Sequence, residues 1–255
     1  MTETAAERPL TLCIDIGATS TKGCLVDADG LMVSSMAKRR TVYPFTPRNL
    51  VEKIEEIAER LESPDRVAVG FPGVVRSGRI LAASNLARGG GPTTRPTPEL
   101  LAAWHDFDLG GALEKSLGMP VVIANDADIA ALGCSIGEGV ELTVTLGSGV
   151  GTGLVVDGVL NAHLELSEIG LLGVESLDSL IGERARKVVT PGVWDRRVVA
   201  VLNHLDAIVR FDKLWITGGN ARRLHRDRLG DLLERTTVTS EPVGLLGGVR
   251  LFDTL

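Results

Sequence analysis

Aromatic side chains are scarce in this chain: one tyrosine, three tryptophans and five phenylalanines make up 4% of its 255 residues. So few rings argue against the stacking platform on which single-stranded nucleic acid lies. Charge of one sign is also lacking, since 27 Lys+Arg against 33 Asp+Glu leave a net charge of −6, a balance that argues against a dedicated nucleic-acid partner. The three cysteines, Cys13, Cys24 and Cys134, stand in apolar or glycine-rich settings and form neither a metal-ligand pair nor a disulfide framework. Reduced thiols and a cytoplasmic location are therefore expected. No apolar run approaches the ~20 residues that span a bilayer, and the polar, mixed-charge start from Met1 to Pro9 is not a secretory signal, so no membrane partner is expected. What is present, 44% hydrophobic and 24% charged residues, belongs to a soluble globular protein of one large domain or two modest ones, and an intracellular enzyme is the starting expectation.

Short apolar runs bounded by glycine or proline alternate with helical periodicity along the chain. Leu10–Ile16 reads as a buried strand that stops at Gly17, followed by a second strand from Gly23 and a turn at Asp27–Gly30. Leu31–Ala37 reads as a third strand. Leu50, Ile54, Ile57, Ala58 and Leu61 fall at helical spacing. Arg66–Phe71 is a strand closed by Pro72-Gly73, Gly89–Pro98 a mobile loop, Asp108–Leu117 a helix and Pro120–Ala124 a buried strand. The second half repeats this grammar: helix Asp126–Ile136, strands Glu141–Leu146 and Gly153–Val156, helix Arg196–Val209, strand Lys213–Thr217, and a closing helix from Val243 to Phe252.

One internal comparison organises the whole. The segment Ile14–Asp27 lies over Val144–Asp157 without a gap, with Gly17 on Gly147, Gly23 on Gly153 and Asp27 on Asp157. Such self-similarity predicts a duplicated strand–turn–strand unit, and the alternation of strands and helices makes both copies α/β. The expected fold is thus α/β, with two related domains and a cleft between them. Their expected bounds are residues 1–123, completed by the C-terminal helix 243–255, and residues 124–242.

The two turns carry the first candidate chemistry. Asp15-Ile-Gly-Ala-Thr-Ser-Thr-Lys22 offers backbone N–H groups, hydroxyls and one lysine, the donors that a phosphate needs. Asp15 at the strand end is placed to hold Mg²⁺ or its water. A tight hairpin in which glycine simply allows the turn explains the same residues. The second turn, Thr145-Leu-Gly-Ser-Gly-Val-Gly151, is richer in glycine but lacks the lysine of a Walker loop. Together the turns would grip a triphosphate from two sides. Asn125-Asp126 opens a helix, either as a cap shared with Asp128 or as a carboxylate that takes the proton of an attacking hydroxyl.

Four further features are weaker. Gly218-Gly219-Asn220 is a turn that admits a flat ligand such as adenine. Glu165 and Glu168 beyond the second hairpin are either surface acids or acceptors for sugar hydroxyls. His163 reads as structural. The run Arg222, Arg223, His225, Arg226 and Arg228 is a solvated face or a track for a polyanion, with Lys38-Arg39-Arg40 the poorer candidate.

With these residues in place the chain resembles the ROK family of sugar kinases, in the actin-like, ribonuclease H-like superfamily, and within it the polyphosphate glucokinase branch. The resemblance runs from about Leu10 to Phe252. Asp15 to Lys22 is similar to the family's first phosphate motif, with Ala18 in place of its second glycine. Gly70–Val75 looks like the branch's strand and turn after the first helix. The resemblance implies a phosphoryl donor, ATP and/or polyphosphate, held by Asp15, Gly17, Thr19, Lys22, Thr145, Gly147, Ser148, Gly149, Gly218 and Gly219. It implies Mg²⁺ at Asp15, a hexose at Asn85, Asn125, Asp126, Glu165 and Glu168, and Asp126 as general base. A homodimer is implied as well.

Two departures stand out. The family's Glu-x-Gly-His after the second hairpin is here Glu165-Leu-Ser-Glu168 by spacing, or Glu168-Ile-Gly-Leu171 by local residues. Both lose the histidine, and Glu165 is preferred. The family's cysteine-rich zinc segment is absent, so no structural zinc is expected. With nine residues before the first strand, the DNA-binding domain of ROK repressors is not expected. The lost histidine keeps a second reading open, a sugar- or nucleotide-binding protein impaired in catalysis.

Overall fold

The computed structural model describes residues 9–170, 173, 176–239 and 243–254. Leu171, the alternative end of the altered sugar motif, lies outside the described residues. The chain divides into two compact units, Met1–Asp126 with Gly244–Leu255, and Ala127–Val243.

The first unit contains β1 (Thr11–Ile16), β2 (Ser20–Val26), β3 (Ala37–Arg40), α1 (Pro47–Ala58), β4 (Arg66–Phe71), β5 (Val74–Arg76), β6 (Arg79–Ala82), α2 (Pro98–Trp104), β7 (Phe107–Asp108), α3 (Leu109–Leu117) and β8 (Val121–Asn125). Its main sheet has the order β3-β2-β1-β4-β8, with β1 antiparallel to β2 and parallel to β4, and β4 parallel to β8. Helix α1 starts at a capping box: the Thr46 hydroxyl accepts the Asn49 N–H, the Asn49 carboxamide oxygen accepts the Thr46 N–H, and Pro47 takes the first turn. Its Leu50, Ile54 and Ile57 are buried against the sheet. Trp104 fills this core, and its indole N–H donates to the Phe45 carbonyl at 3.1 Å.

The second unit follows α4 (Asp126–Cys134) with β9 (Val140–Leu146), β10 (Val150–Val156), β11 (Val159–Leu160), α5 (Leu177–Ile181), α6 (Glu183–Lys187), α7 (Pro191–Val209), β12 (Lys213–Thr217) and β13 (Thr236–Val238). Its sheet order is β11-β10-β9-β12-β13, with β9 antiparallel to β10 and parallel to β12, and β12 parallel to β13. Strand for strand this is the plan of the first unit. Trp194 fills this second core, its indole N–H donating to Ile181 at 2.8 Å. Helix α8 (Val243–Arg250) returns to the first sheet, where Gly248 lets it approach: a Cβ there would lie 2.7 Å from Cys13 Sγ. Burial pushes the Cys13 thiol up to about 12, so this cysteine is a packing residue.

Two expectations need correction. The third strand is Ala37–Arg40 rather than Leu31–Ala37, since β2 pairs with it through Ser20–Gly23. Leu31, Met32, Val33 and Met36 stay exposed. The Gly89–Pro98 stretch has little regular structure, and the Arg88 guanidinium donates to the carbonyls of Ser84, Pro92 and Thr94. Finally, α7 begins five residues earlier than the apolar spacing indicates, at Pro191. Among the described residues no helix is long and apolar enough to cross a membrane.

Candidate active site

The first glycine turn connects β1 to β2. Gly17 N–H donates to the Ser20 carbonyl at 3.0 Å and closes it. Its remaining carbonyls are taken from outside: Thr41 Oγ1 donates to Gly17, the Thr41 N–H to Thr19, and Tyr43 Oη to Ala18. With the carbonyls engaged, the N–H groups of Ala18 and Thr19 donate to no partner among the described residues. Two consecutive free amides form an anion-binding concavity. Asp15 is exposed at the end of β1, and Lys22 stands opposite it in register, Nζ 3.7 Å from Oδ2. This carboxylate, with water and phosphate oxygens for the other positions, suits Mg²⁺, which seldom takes a full set of protein ligands.

The second turn connects β9 to β10 and is closed by Gly147 N–H donating to Gly149 at 2.9 Å. Ser148 and Gly149 likewise keep free N–H groups among the described residues. Gly151 N–H donates to Thr145 Oγ1 at 3.1 Å, so this hydroxyl shapes the turn while keeping its proton to donate. Asp178 accepts the Val150 N–H behind the turn, and burial raises its pKa above the usual range.

Gly218-Gly219-Asn220 after β12 is stitched onto the second turn. The Asn220 N–H donates to Leu146 and its carboxamide donates to Gly147 and to Glu183 Oε2, both at 2.9 Å. Gly218, at φ +94°, is required by the fold itself, since a Cβ there would lie 2.5 Å from the Leu146 carbonyl oxygen. Gly219 faces open space. Glu183, missed in the sequence, holds this corner; bonds from Arg186 and Lys187 lower its carboxyl to about 2. An acid four residues before a lysine at a helix start was the available signal.

Asn125 ends β8, where its buried carboxamide donates to the Gly73 carbonyl at 2.9 Å. Asp126 follows as the exposed first residue of α4. Asn85 is exposed on the turn after β6. A shallow pocket of about 380 Å³ lies beside that turn, lined by Leu81, Ala83, Leu101 and His105 among others, and includes none of the candidate residues.

Beyond the second hairpin the two glutamates separate. Glu168 is exposed in a short 3₁₀ turn. Glu165 is built into a cluster: its Oε1 lies 2.8 Å from His163 Nε2, and Ser167 Oγ donates to its Oε2. His163 Nδ1 lies 2.9 Å from Asp128 Oδ2, and the imidazole side chain is 5% exposed. The ring of His163, read from the sequence as structural, is clamped between these two carboxylates.

The basic residues also divide. Arg222, Arg223, Arg226 and Arg228 are exposed and make no salt bridge among the described residues, while His225 is anchored by the buried Asp195 at 2.8 Å. In the other run Arg39 is held by Glu56 at 2.7 Å.

Two five-stranded sheets of one order, each opening its central hairpin into a glycine turn, are the actin-like two-domain α/β plan. The sequence profile of the ROK family matches residues 11–170, and the chain belongs to that family. It is 28% identical over 233 residues to a polyphosphate glucokinase of Mycobacterium tuberculosis (strain ATCC 25177 / H37Ra), covering 88% of this chain and 82% of the relative. Among solved structures it is similar to an inorganic polyphosphate/ATP-glucomannokinase from Arthrobacter sp. strain KM, with a TM-score of 0.76, 24% identity, and 94% and 97% of the two chains covered. A ROK family glucokinase from Streptomyces griseus, in complex with glucose and AMPPNP, gives a TM-score of 0.74 at 20% identity, with 95% and 98% covered.

Proposed function

We propose that this protein is a sugar kinase that transfers a phosphoryl group from ATP and/or polyphosphate to a hydroxyl of a glucose-like hexose. The observation that carries this reading is the pair of turns with consecutive free amides, Ala18-Thr19 and Ser148-Gly149, at matching positions of the two sheets. Backbone donors of this kind hold phosphate oxygens without changing protonation state, and they need no rearrangement as charge develops. Lys22 adds a cation to the first turn, and Gly219 leaves room for a flat base beside the second. Mg²⁺, held by Asp15, neutralises charge on the transferring group when it is bound.

Asp126 accepts the proton of the attacking sugar hydroxyl. Its place as the first residue of α4, directly after the strand, leaves the carboxylate exposed on a rigid element. Asn85, Asn125 and Glu165 orient the other hydroxyls. Glu168, in the exposed 3₁₀ turn, would serve only from the rim of the sugar site.

The test is turnover with Mg-ATP or polyphosphate across a panel of hexoses, together with Asp126→Ala. The expected result is a phosphorylated hexose from the parent protein and a loss of roughly 10²- to 10⁴-fold in kcat for the variant, with an unchanged melting curve. Sugar or nucleotide binding without product across the panel would transfer the protein to the impaired, binding-only reading. Near-parental turnover by Asp126→Ala would remove the aspartate from the role of base.

A further inference from the structure

The cluster Asp128–His163–Glu165 holds one proton more than its residues carry in their ordinary neutral-pH states. A neutral imidazole has one N–H donor and one bare nitrogen. Here both ring nitrogens lie within hydrogen-bond distance of carboxylate oxygens, Nδ1 at 2.9 Å from Asp128 and Nε2 at 2.8 Å from Glu165. A bare nitrogen facing an ionised carboxylate would set two lone pairs against each other in a buried site. The geometry is satisfied when an extra proton sits between Nδ1 and Asp128. Whichever of those two atoms holds it, Nε2 carries hydrogen and donates to Glu165, and the cluster has a single negative charge.

We infer that His163 is a positioning residue for the sugar site, fixing Glu165 through its Nε2–H so that the free edge of that carboxylate meets sugar hydroxyls in one orientation. The inference rests on the reading of Glu165 as a sugar ligand. It also assigns a role to the departure from the family pattern. The imidazole missing three residues after Glu165 is supplied two residues before it, but with both nitrogens occupied it acts through the carboxylate rather than on the sugar. Leu164 between them is pinned to β10, its carbonyl accepting the Thr152 hydroxyl at 3.0 Å, which holds His163 and Glu165 in place from the other side.

Asp128 is 3% exposed, and its second oxygen has no partner. A buried carboxylate so poorly satisfied is costly unless its other oxygen takes a strong bond, and His163 provides it. Burial works against charge on the ring, yet the bonds to Asp128 and Glu165 outweigh it and raise its pKa to about 9. The bond from His163 lowers the carboxyl of Glu165, and burial raises that of Asp128. These two carboxylates, from α4 and from the segment after β11, are the charged groups that face the ring among the described residues. Because the ring's pKa is raised on folding, the cluster is intact below its ordinary value and comes apart as pH rises through about 9.

The experiment measures sugar KM and kcat from about pH 6 to pH 10 for the parent protein, for His163→Gln, and for the double variant Asp128→Asn with His163→Gln. The double variant can rebuild the chain from amides, with Asn donating to the Gln carbonyl oxygen and the Gln NH₂ donating to Glu165, and it has no proton to lose. In the parent, KM should rise above about pH 9 with a smaller change in kcat. His163→Gln should raise KM at pH 7 roughly 10-fold or more, as loss of a positioning hydrogen bond does. The double variant should recover most of that affinity and show no alkaline rise. A parental KM in His163→Gln, within about twofold, or an alkaline rise that persists in the double variant, overturns the proposal. Imidazole ¹⁵N spectra of the sugar-free protein give a readout that does not need turnover. Hydrogen on Nε2 up to about pH 9 is expected, and a bare Nε2 at pH 7 overturns the inference. A parent that neither binds nor phosphorylates any hexose would instead sink the sugar-site reading, with the imidazole spectrum unchanged.

Discussion

The two central hairpins align in sequence without a gap, yet they pair differently. In the first, Ile14 faces Gly23 and Asp15 faces Lys22. In the second, the aligned Val144 faces Thr152 rather than Gly153, and Thr145 faces Gly151. One residue has been absorbed because Ile16 and Thr21 flank four turn residues, whereas Leu146 and Val150 flank three. The consequence is chemical. The looser turn sets a carboxylate opposite an ammonium, while the tighter one sets a hydroxyl opposite a glycine, whose N–H that hydroxyl accepts. Both copies carry backbone donors and only the first adds a charged pair, and register together with residue type decides which side chains meet.

The aligned glycines sharpen the comparison. Both make room for a helix, but against different obstacles. A Cβ at Gly153 would lie 2.6 Å from the backbone oxygen of Ala127 in α4, whereas one at Gly23 would meet side-chain methyls, Ile14 Cδ1 at 2.6 Å and Ile57 Cγ2 at 2.7 Å. Side chains yield more readily than a helix backbone. Gly153→Ala is therefore expected to destabilise by about 2–3 kcal/mol and Gly23→Ala by about 1 kcal/mol, within the range for overpacking, read as shifts in denaturant midpoint at constant slope. Equal costs would mean that α4 can retreat as easily as a methyl group.

A smaller effect should separate the two basic runs. Replacing Arg222, Arg223 and Arg226 together should weaken use of polyphosphate by about 10-fold at low salt and flatten its salt dependence, since fewer counterions are then released. ATP should lose less, and replacing Lys38 and Arg40 in the first unit should change neither donor. Steady-state rates with both donors at two salt concentrations decide this, and equal losses for ATP and polyphosphate would remove the arginine run from donor binding.

The smallest effect concerns acid. Glu183 is held at about 2 chiefly by Arg186 and then Lys187, so its folded pKa lies below its unfolded one. Its contribution is present above about pH 4.5 and is lost as pH falls toward 2. Because the pair is partly solvated, Glu183→Gln should cost less than about 1 kcal/mol at pH 7, and the difference from the parent should vanish near pH 2. Unfolding curves at both pH values would show it, and a gap that persists in acid would assign the loss to Asn220 and the turn it stitches rather than to charge.

Much of this was legible along the chain. Arg66–Phe71 and Lys213–Thr217 are continuous apolar runs ended by Pro-Gly or Gly-Gly, and they are strands with those bounds. Helix periodicity located α1 and α7 to within a few residues, because one buried face repeats at every turn. The third strand was misplaced because Leu31–Met36 has strand composition without a long partner, making only a bridge from Met32 to Val26. The partners of His163 are hidden from the sequence for a related reason. Its immediate neighbours, Ala162 and Leu164, are apolar, and the carboxylate that clamps its Nδ1 comes from Asp128, 35 residues earlier.

The order of local events, then, belongs to the sequence: where strands end in glycine, where apolar faces repeat, and that one hairpin was written twice. Those features depend on φ/ψ freedom and on spacing along a few turns, which neighbouring residues settle among themselves. Tertiary structure alone decided the one-residue slip between the copies, the backbone contact that makes Gly218 obligatory, the stitching of Asn220 to Gly147, and the proton held between Asp128, His163 and Glu165. Each of these is a meeting of groups distant in the chain, and its energy arises only when folding removes water and brings them within about 3 Å.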